Sequence, residues 1–299
     1  MKKDVTIEVT TFCGADCVMC VRKDYIVKSR HMDFLLFQKC IQKISSYGFN
    51  SVVFGGTGDP LAHPRIVDML SYIKQEYPNI SIRLTSTCHL LNKHIMPEVC
   101  NFVDVLKISN YGASKEVFEK VHRGNITFEI VHENLINLFS YNGKKPYVIL
   151  NYLLIDENKG DLKPWLNKWR RTTVDEINVW QIHNWAGYKQ ASGTNIMKDI
   201  KACSRVLEKH VAIWVDGKVS ACCFDCECQL LLGDLAEKSF LEVFSSVKYK
   251  FLYKVHTSNS VIGSGLICEK CDQISSRDYA MIYKEQRGQI LKNNIMEGL

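Results

Sequence analysis

Thirteen cysteines stand in a chain of 299 residues, and their spacing is what could do chemistry. Residues 13–20 read CGADCVMC, so Cys13, Cys17 and Cys20 follow the pattern C-x3-C-x2-C. Three thiolates so close in sequence must converge on one centre from a loop. That centre is held at three corners and keeps an open position where a bound molecule can react. A zinc ion is the other reading, but zinc usually takes four ligands, and no His or fourth Cys lies nearby. A second set begins at Cys203, continues through Gly217 to Cys222, and ends in Cys268-x2-Cys271. Four thiols can fill every position of a metal centre. A zinc ribbon also uses two Cys pairs, and either metal would staple a small domain with little core of its own.

Six cysteines remain. Cys223, Cys226 and Cys228 lie in the run CCFDCEC beside Cys222; alternative ligands, a hydrogen-atom donor and passive thiols are all open readings. Cys40, Cys88 and Cys100 sit in helix- or strand-like surroundings and read as core. The odd, high count and the absence of an export signal in MKKDVTIEV point to a reducing cytoplasm, where cysteines bind metals more often than they pair. No run of 18 apolar residues exists, so no membrane span is expected. The net charge of +6 is scattered rather than gathered into an arm, which weighs against nucleic acid and suits an anionic small molecule equally well.

The elements that must position these thiols alternate between strand and helix. Val5–Thr10 reads as a strand that delivers the first cysteine loop. Asp33 caps a helix with Phe37, Ile41 and Ile44 on one face, and Gly48 ends it. Ser51–Phe54 runs into Gly55-Gly56. A second helix carries Ile66, Met69, Leu70 and Ile73. Further strands are expected at 80–84, 103–109, 147–155 and 176–181. Six β/α units predict an α/β fold, an open partial (β/α)6 barrel with its site at the C-terminal ends of the strands. The expected boundaries are a barrel over 1–185, a linker over 186–200, a small cluster-binding domain over 201–275 and a terminal helix over 276–299. Asp216-Gly217 signals a hairpin, and Ser239-x-x-Glu242 a capping box.

Cys13-x3-Cys17-x2-Cys20 resembles the signature of the radical S-adenosylmethionine (SAM) superfamily, and Gly55-Gly56-Thr57-Gly58-Asp59-Pro60 resembles its GG-x-G-E-P loop. The resemblance covers about residues 4–185. It implies a [4Fe–4S] cluster on the three thiolates, with SAM on the unique iron and cleaved by one electron to a 5′-deoxyadenosyl radical. It also implies backbone contacts from Gly55, Gly56 and Thr57 to the methionine amine. Asp59 stands where the family has Glu, and Met19 where an aromatic often meets adenine. Ser86-Thr87-Cys88 replaces a common Thr-Asn-Gly. Ser86 and Ser109 are implied near ribose, and Arg123 near the SAM carboxylate. The residues alone leave Arg123 equally a surface ion-pair partner and Asn151 equally barrel filling. C-x13-G-x4-C…C-x2-C resembles the start of a SPASM domain; with no cysteine after Cys271, the truncated "twitch" form fits. That implies a second, auxiliary [4Fe–4S] cluster on Cys203, Cys222, Cys268 and Cys271.

The layout resembles sugar- and aminocyclitol-modifying members such as the 2-deoxy-scyllo-inosamine dehydrogenases. It implies oxidation of a small, hydroxyl-rich substrate, with the auxiliary cluster as electron acceptor and an external one-electron reductant such as flavodoxin or ferredoxin. The alternatives are an epimerase using a Cys223, Cys226 or Cys228 thiol as hydrogen donor, and a maturase of ribosomally made peptides. Strand one begins by about residue 5, which leaves no room for a leader-binding domain and weighs against the maturase. A non-catalytic zinc- or RNA-binding protein is the rival from another class. His183 and Asn184, ending the sixth strand, stand either at substrate or in packing. His122 and His132 receive no role.

Overall fold

A computed structural model describes residues 4–25, 28–189, 202–274 and 280–295. Six strands, β1 (Asp4–Ile7), β2 (Ser51–Phe54), β3 (Ser81–Ser86), β4 (Val105–Ser109), β5 (Tyr147–Leu154) and β6 (Glu176–Gln181), lie side by side in chain order. Each runs parallel to the next, as β/α connections require. The alternation of β3 and β4 shows which way they face. Ile82, Leu84, Leu106 and Ile108 are fully buried, while Arg83, Thr85, Lys107 and Ser109 are half-buried and line a central cavity. This is the expected α/β partial barrel with an open interior.

The connecting helices form where their caps and apolar stripes dictate. Asp33 accepts from the Leu35 and Leu36 N–H groups, and Phe37, Cys40, Ile41 and Ile44 bury one face of Phe34–Tyr47. Gly48 ends that helix at φ +85°, a left-handed conformation that favours glycine. Ser239 and Glu242 close a capping box at Phe240–Ser245. Among the described residues no helix is long and apolar enough to cross a membrane.

The C-terminal part does not form a separate sheet. The Asp216-Gly217 turn joins β7 (Val211–Ile213) to β8 (Lys218–Ser220), and β9 (Leu231–Asp234) follows antiparallel. β7 then pairs parallel with β1, Val5 opposite Val211. One sheet of eleven strands therefore runs β11-β10-β6-β5-β4-β3-β2-β1-β7-β8-β9. The linker expected over 186–200 is described only to residue 189, where a short turn spans Trp185–Gly187; the rest lies outside the described residues.

The terminal helix expected over 276–299 is corrected: β10 (Met281–Gln286) and β11 (Gln289–Asn293) form a hairpin, and β10 pairs antiparallel with β6. Arg287 and Gly288 both take positive φ, which closes the tight turn. The open barrel leaves the backbone groups along one side of β6 in need of partners, and β10 supplies them. Buried Tyr283 and Glu285 bond the Arg170 guanidinium, with Arg170 Nε 2.6 Å from Glu285.

Arg170→Met should therefore lower stability by about 1–3 kcal/mol, since it strands a buried carboxylate. Denaturant unfolding measures the loss, and adding Glu285→Gln should recover part of it.

Candidate active site

The three N-terminal thiols sit on a loop that leaves β1 and is pinned by backbone hydrogen bonds. Asp16 and Val18 N–H groups donate to the His122 and Val121 carbonyls (2.9 and 3.0 Å), and Asn125 N–H donates to Gly14 O at 2.7 Å. On the other side Asp59 N–H donates to Phe12 O at 2.8 Å. Trp185 Nε1 donates to Met19 O at 3.1 Å and Lys189 Nζ to Cys20 O at 2.7 Å. Cys13, Cys17 and Cys20 thereby face one cavity of about 650 Å3 at the C-terminal ends of the strands.

The thiols feel one another. Burial pushes Cys13 up to about 11, and the charges of Asp59 and Cys20 add to this. Burial, then the two other thiols, raises Cys17. Burial also raises Cys20. Yet among the described residues no three His, Cys, Asp or Glu side chains come close enough to hold a single metal ion. The three thiols nevertheless share the wall of one cavity. A backbone N–H two residues on is aimed back at one sulfur, Arg22 N to Cys20 Sγ at 3.4 Å. The thiol loop thus fits a cluster.

His122, to which the sequence assigned no role, is fully buried against Cys17. Its Nε2 accepts from the Tyr111 N–H at 3.1 Å, so in the neutral ring the proton lies on Nδ1, 3.5 Å from Cys17 Sγ. Burial drops the ring's pKa to about 3, which keeps it neutral. Tyr111 stacks on it at 4.8 Å. No local signal marks this contact, because the partners are 105 residues apart.

The other expected contacts divide. Met19, Gly56, Asp59, Ser86, Ser109 and Asn151 line the cavity. Asp59 is engaged: it accepts from Ser86 Oγ (2.9 Å), Thr87 N and Oγ1 (3.0 Å each) and Leu61 N (3.1 Å). It ties the β2 loop to the end of β3. Asn151 accepts from Trp180 Nε1 at 3.0 Å. Thr57 is turned away; its N–H and Oγ1 donate to buried Glu8 (2.7 and 2.6 Å), and it lines a second cavity. Gly55 donates its N–H to Ile7 O and is not among the lining residues. Arg123 is not brought to the cavity: it is exposed at the end of helix Lys115–His122, bonding Lys120 O. His183 lines the cavity and packs on Phe224 at 4.3 Å. Its Nδ1 accepts from Trp185 N, leaving Nε2–H as a donor. Asn184 is structural, its backbone N–H bonded to Asp272 at 2.8 Å. His132 packs on Phe128 and Trp169, outside the cavity.

Cys203, Cys222, Cys268 and Cys271 line one small, mostly apolar chamber with Phe224, Leu230 and Ile274. Here too N–H groups two residues on point at sulfur, Phe224 N to Cys222 (3.4 Å) and Gln273 N to Cys271 (3.3 Å). Arg205 is buried among these cysteines and lies 4.8 Å over the Phe224 ring, a fixed positive charge that would favour the thiolate form of these ligands. Arg205 and Phe224 line both the chamber and the large cavity. Cys223 faces the large cavity beside His210, while Cys226 and Cys228 face the second one. Cys40, Cys88 and Cys100 are fully buried core.

Residues 7–168 match the family model of the radical SAM superfamily, and residues 203–272 that of an iron–sulfur cluster-binding domain, SPASM. A tungsten-containing aldehyde ferredoxin oxidoreductase cofactor-modifying protein of Pyrococcus furiosus is 24% identical over 161 residues, which are 52% of this chain and 45% of that protein. The chain thus spans less than half the length of this curated relative. The crystal structure of BtrN in complex with AdoMet and 2-DOIA aligns over 97% of this chain and 99% of its own, with a TM-score of 0.63 at 14% identity. Native anSMEcpe with bound AdoMet and a Kp18Cys peptide aligns over 85% and 84%, with a TM-score of 0.64 at 12% identity. These two likenesses are of fold.

Two outcomes follow. His122→Phe keeps the stacking but removes the N–H aimed at Cys17, so the cluster's reduction potential should fall, read by a redox titration followed by electron paramagnetic resonance. Because the raised thiols are protonated near neutrality and ligation needs thiolate, cluster loading should be faster at about pH 9 than at about pH 7, followed by visible absorbance.

Proposed function

The chain belongs to the radical SAM superfamily, and we propose that it oxidises a small, hydroxyl-rich molecule of the sugar or aminocyclitol class, with the four-cysteine site receiving the released electron. The observation that carries this reading is the shared wall. Cys13, Cys17 and Cys20 lie on the large cavity, and Arg205 and Phe224 separate that cavity from the chamber of Cys203, Cys222, Cys268 and Cys271. A substrate held there would touch both ends of a one-electron path. The likeness in fold to BtrN, solved with 2-DOIA, over nearly the whole of both chains supports the small-molecule class.

In this reading Cys13, Cys17 and Cys20 hold the SAM-binding [4Fe–4S] cluster, and the four later cysteines the auxiliary one. Their grouping and the N–H groups aimed at Cys20, Cys222 and Cys271 fit those clusters. When bound, SAM and its cluster supply the radical chemistry that removes a hydrogen atom from a substrate carbon. Met19, Gly56, Ser86, Ser109 and Asn151 line the space for SAM; Met19 belongs to a small apolar group with Val121 and Ile155, which suits the face of a purine. The Thr57 N–H and hydroxyl are bonded to Glu8, and the Arg123 side chain lies outside the large cavity. His183, which lines the cavity, would hold a substrate oxygen through its Nε2–H. The substrate loses one hydrogen atom, one hydroxyl proton and one electron, a net two-electron oxidation of an alcohol carbon. The hydroxyl proton passes to solvent in the cavity. An external one-electron reductant such as flavodoxin or ferredoxin primes the first cluster. The chain divides into a barrel over residues 1–185, a linker over 186–200 and a twitch domain over 201–275.

One observation favours a second reading. Cys223 alone of the three spare thiols faces the large cavity, where a thiol could return a hydrogen atom to the opposite face of a substrate radical. That would make the enzyme an epimerase.

Anaerobic reconstitution should yield about eight irons per chain, and changing Cys13, Cys17 and Cys20 together to Ala should leave about four and abolish 5′-deoxyadenosine formation. Turnover of a panel of aminocyclitols and amino sugars in heavy water then separates the readings. Oxidation gives a product lighter by two hydrogens, with no solvent deuterium on carbon. A product of unchanged composition that gains one deuterium, and is lost in Cys223→Ala while SAM cleavage persists, would establish the epimerase instead.

A further inference from the structure

The wall of the large cavity carries more positive charge than the cysteine sites use. Lys107 on β4 pairs in register with Thr85 on β3, and Arg83 projects inward two residues earlier on that strand. Arg83 Nη1 meets Asp4 Oδ2 at 3.5 Å, but its Nε is buried without a hydrogen-bond partner. Lys107 makes no hydrogen bond or ion pair among the described residues. The charges that reach it are Arg83, Asp4, Glu176 and Cys223. Glu176 is already bonded to Asn178 (2.8 Å) and paired with Lys284 (3.3 Å), and Asp4 is paired with Arg83. Arg205 sits among the cluster cysteines. A buried ammonium with no direct counter-charge is costly, and here it stands beside a guanidinium edge with an unused donor.

The geometry points to a subsite for an oxyanion of the substrate, a carboxylate or a phosphate, seated between the Lys107 ammonium and the unpartnered Arg83 Nε–H. Two diagonally related inward positions on neighbouring strands supply a point charge and part of a planar fork, a pairing that suits a multi-oxygen anion. The sugar-like substrate would then carry an acidic group at the end of the molecule that enters the barrel. This rests on the reading of the cavity as the reaction chamber, but its test does not need turnover.

Equilibrium dialysis of the reconstituted protein with radiolabelled inorganic phosphate, and separately with radiolabelled acetate, at fixed chloride concentration, reads the site directly. One saturable site per chain should appear for phosphate, acetate or both. Lys107→Gln should weaken it at least about ten-fold, and Lys107→Arg should retain it. Phosphate alone identifies a phosphoryl group, and acetate alone a carboxylate. No saturable binding to the unmodified protein, or binding unchanged in Lys107→Gln, overturns the subsite. If Lys107→Gln fails to fold, protection of Lys107 from acetylation by the bound anion replaces it: protection supports the subsite, and acetylation as fast as in chloride alone overturns it. SAM cleavage by the same preparation keeps the two readings apart. Cleavage without anion binding refutes only the subsite, and anion binding without cleavage refutes only the reaction chamber.

Discussion

Everything at the site depends on backbone packing against backbone around the first cysteine loop. A side-chain carbon at Gly58 would run into the Thr10 and Phe12 carbonyls, and one at Gly124 would lie 2.5 Å from Gly14 O. Both approaches are open only to glycine, and Gly124 also takes φ +75°. The loop is therefore clamped between the segment after β2 and the segment after helix Lys115–His122. Its own N–H and C=O groups go to these clamps, so three thiols can stay together in a buried place before any metal arrives. Glu8 reinforces the same corner. It occupies the space that a side chain at Gly56 would fill (2.6 Å) and takes both Thr57 donors.

The second constraint is the continuous sheet. Because β7 pairs with β1 and β10 with β6, both edges of the open barrel are covered by strands from the C-terminal part. A small cysteine-rich domain on a flexible tether would place its cysteine chamber anywhere; strand pairing fixes that chamber across one layer of side chains from the large cavity. Arg205 and Phe224 are that layer. Asn184 adds a further tie, joining the end of the sixth unit to the Cys268–Cys271 loop through Asp272 and Lys270.

The barrel interior explains how polar groups survive in a buried place. Outward positions on β3 and β4 are apolar and sealed, while the inward ones, Arg83, Thr85, Lys107 and Ser109, share one cavity. The alternation was legible in SIRLTS and VLKIS as sequence, and charged residues inside short parallel strands are a signal of an open interior. The terminal hairpin was not legible in that way. Residues 281–293 have no strong period of their own, and the need of β6 for a partner decides their conformation.

The chain by itself determined what depends on near neighbours: the C-x3-C-x2-C loop, the caps at Asp33, Gly48 and Ser239, the Asp216-Gly217 turn and the six β/α units. These follow from spacing and local hydrogen bonding, which travel with the covalent chain. The four later cysteines were also readable, as residues of one type at set intervals. Tertiary structure alone decided direction. It turned Cys223 to the large cavity but Cys226 and Cys228 to another, spent Thr57 on Glu8, left Arg123 in solvent and brought His122 to Cys17. It also set Lys107 beside Arg83 from different strands. Which way a side chain points is fixed by partners tens to a hundred residues distant, and that contact free energy leaves no local trace.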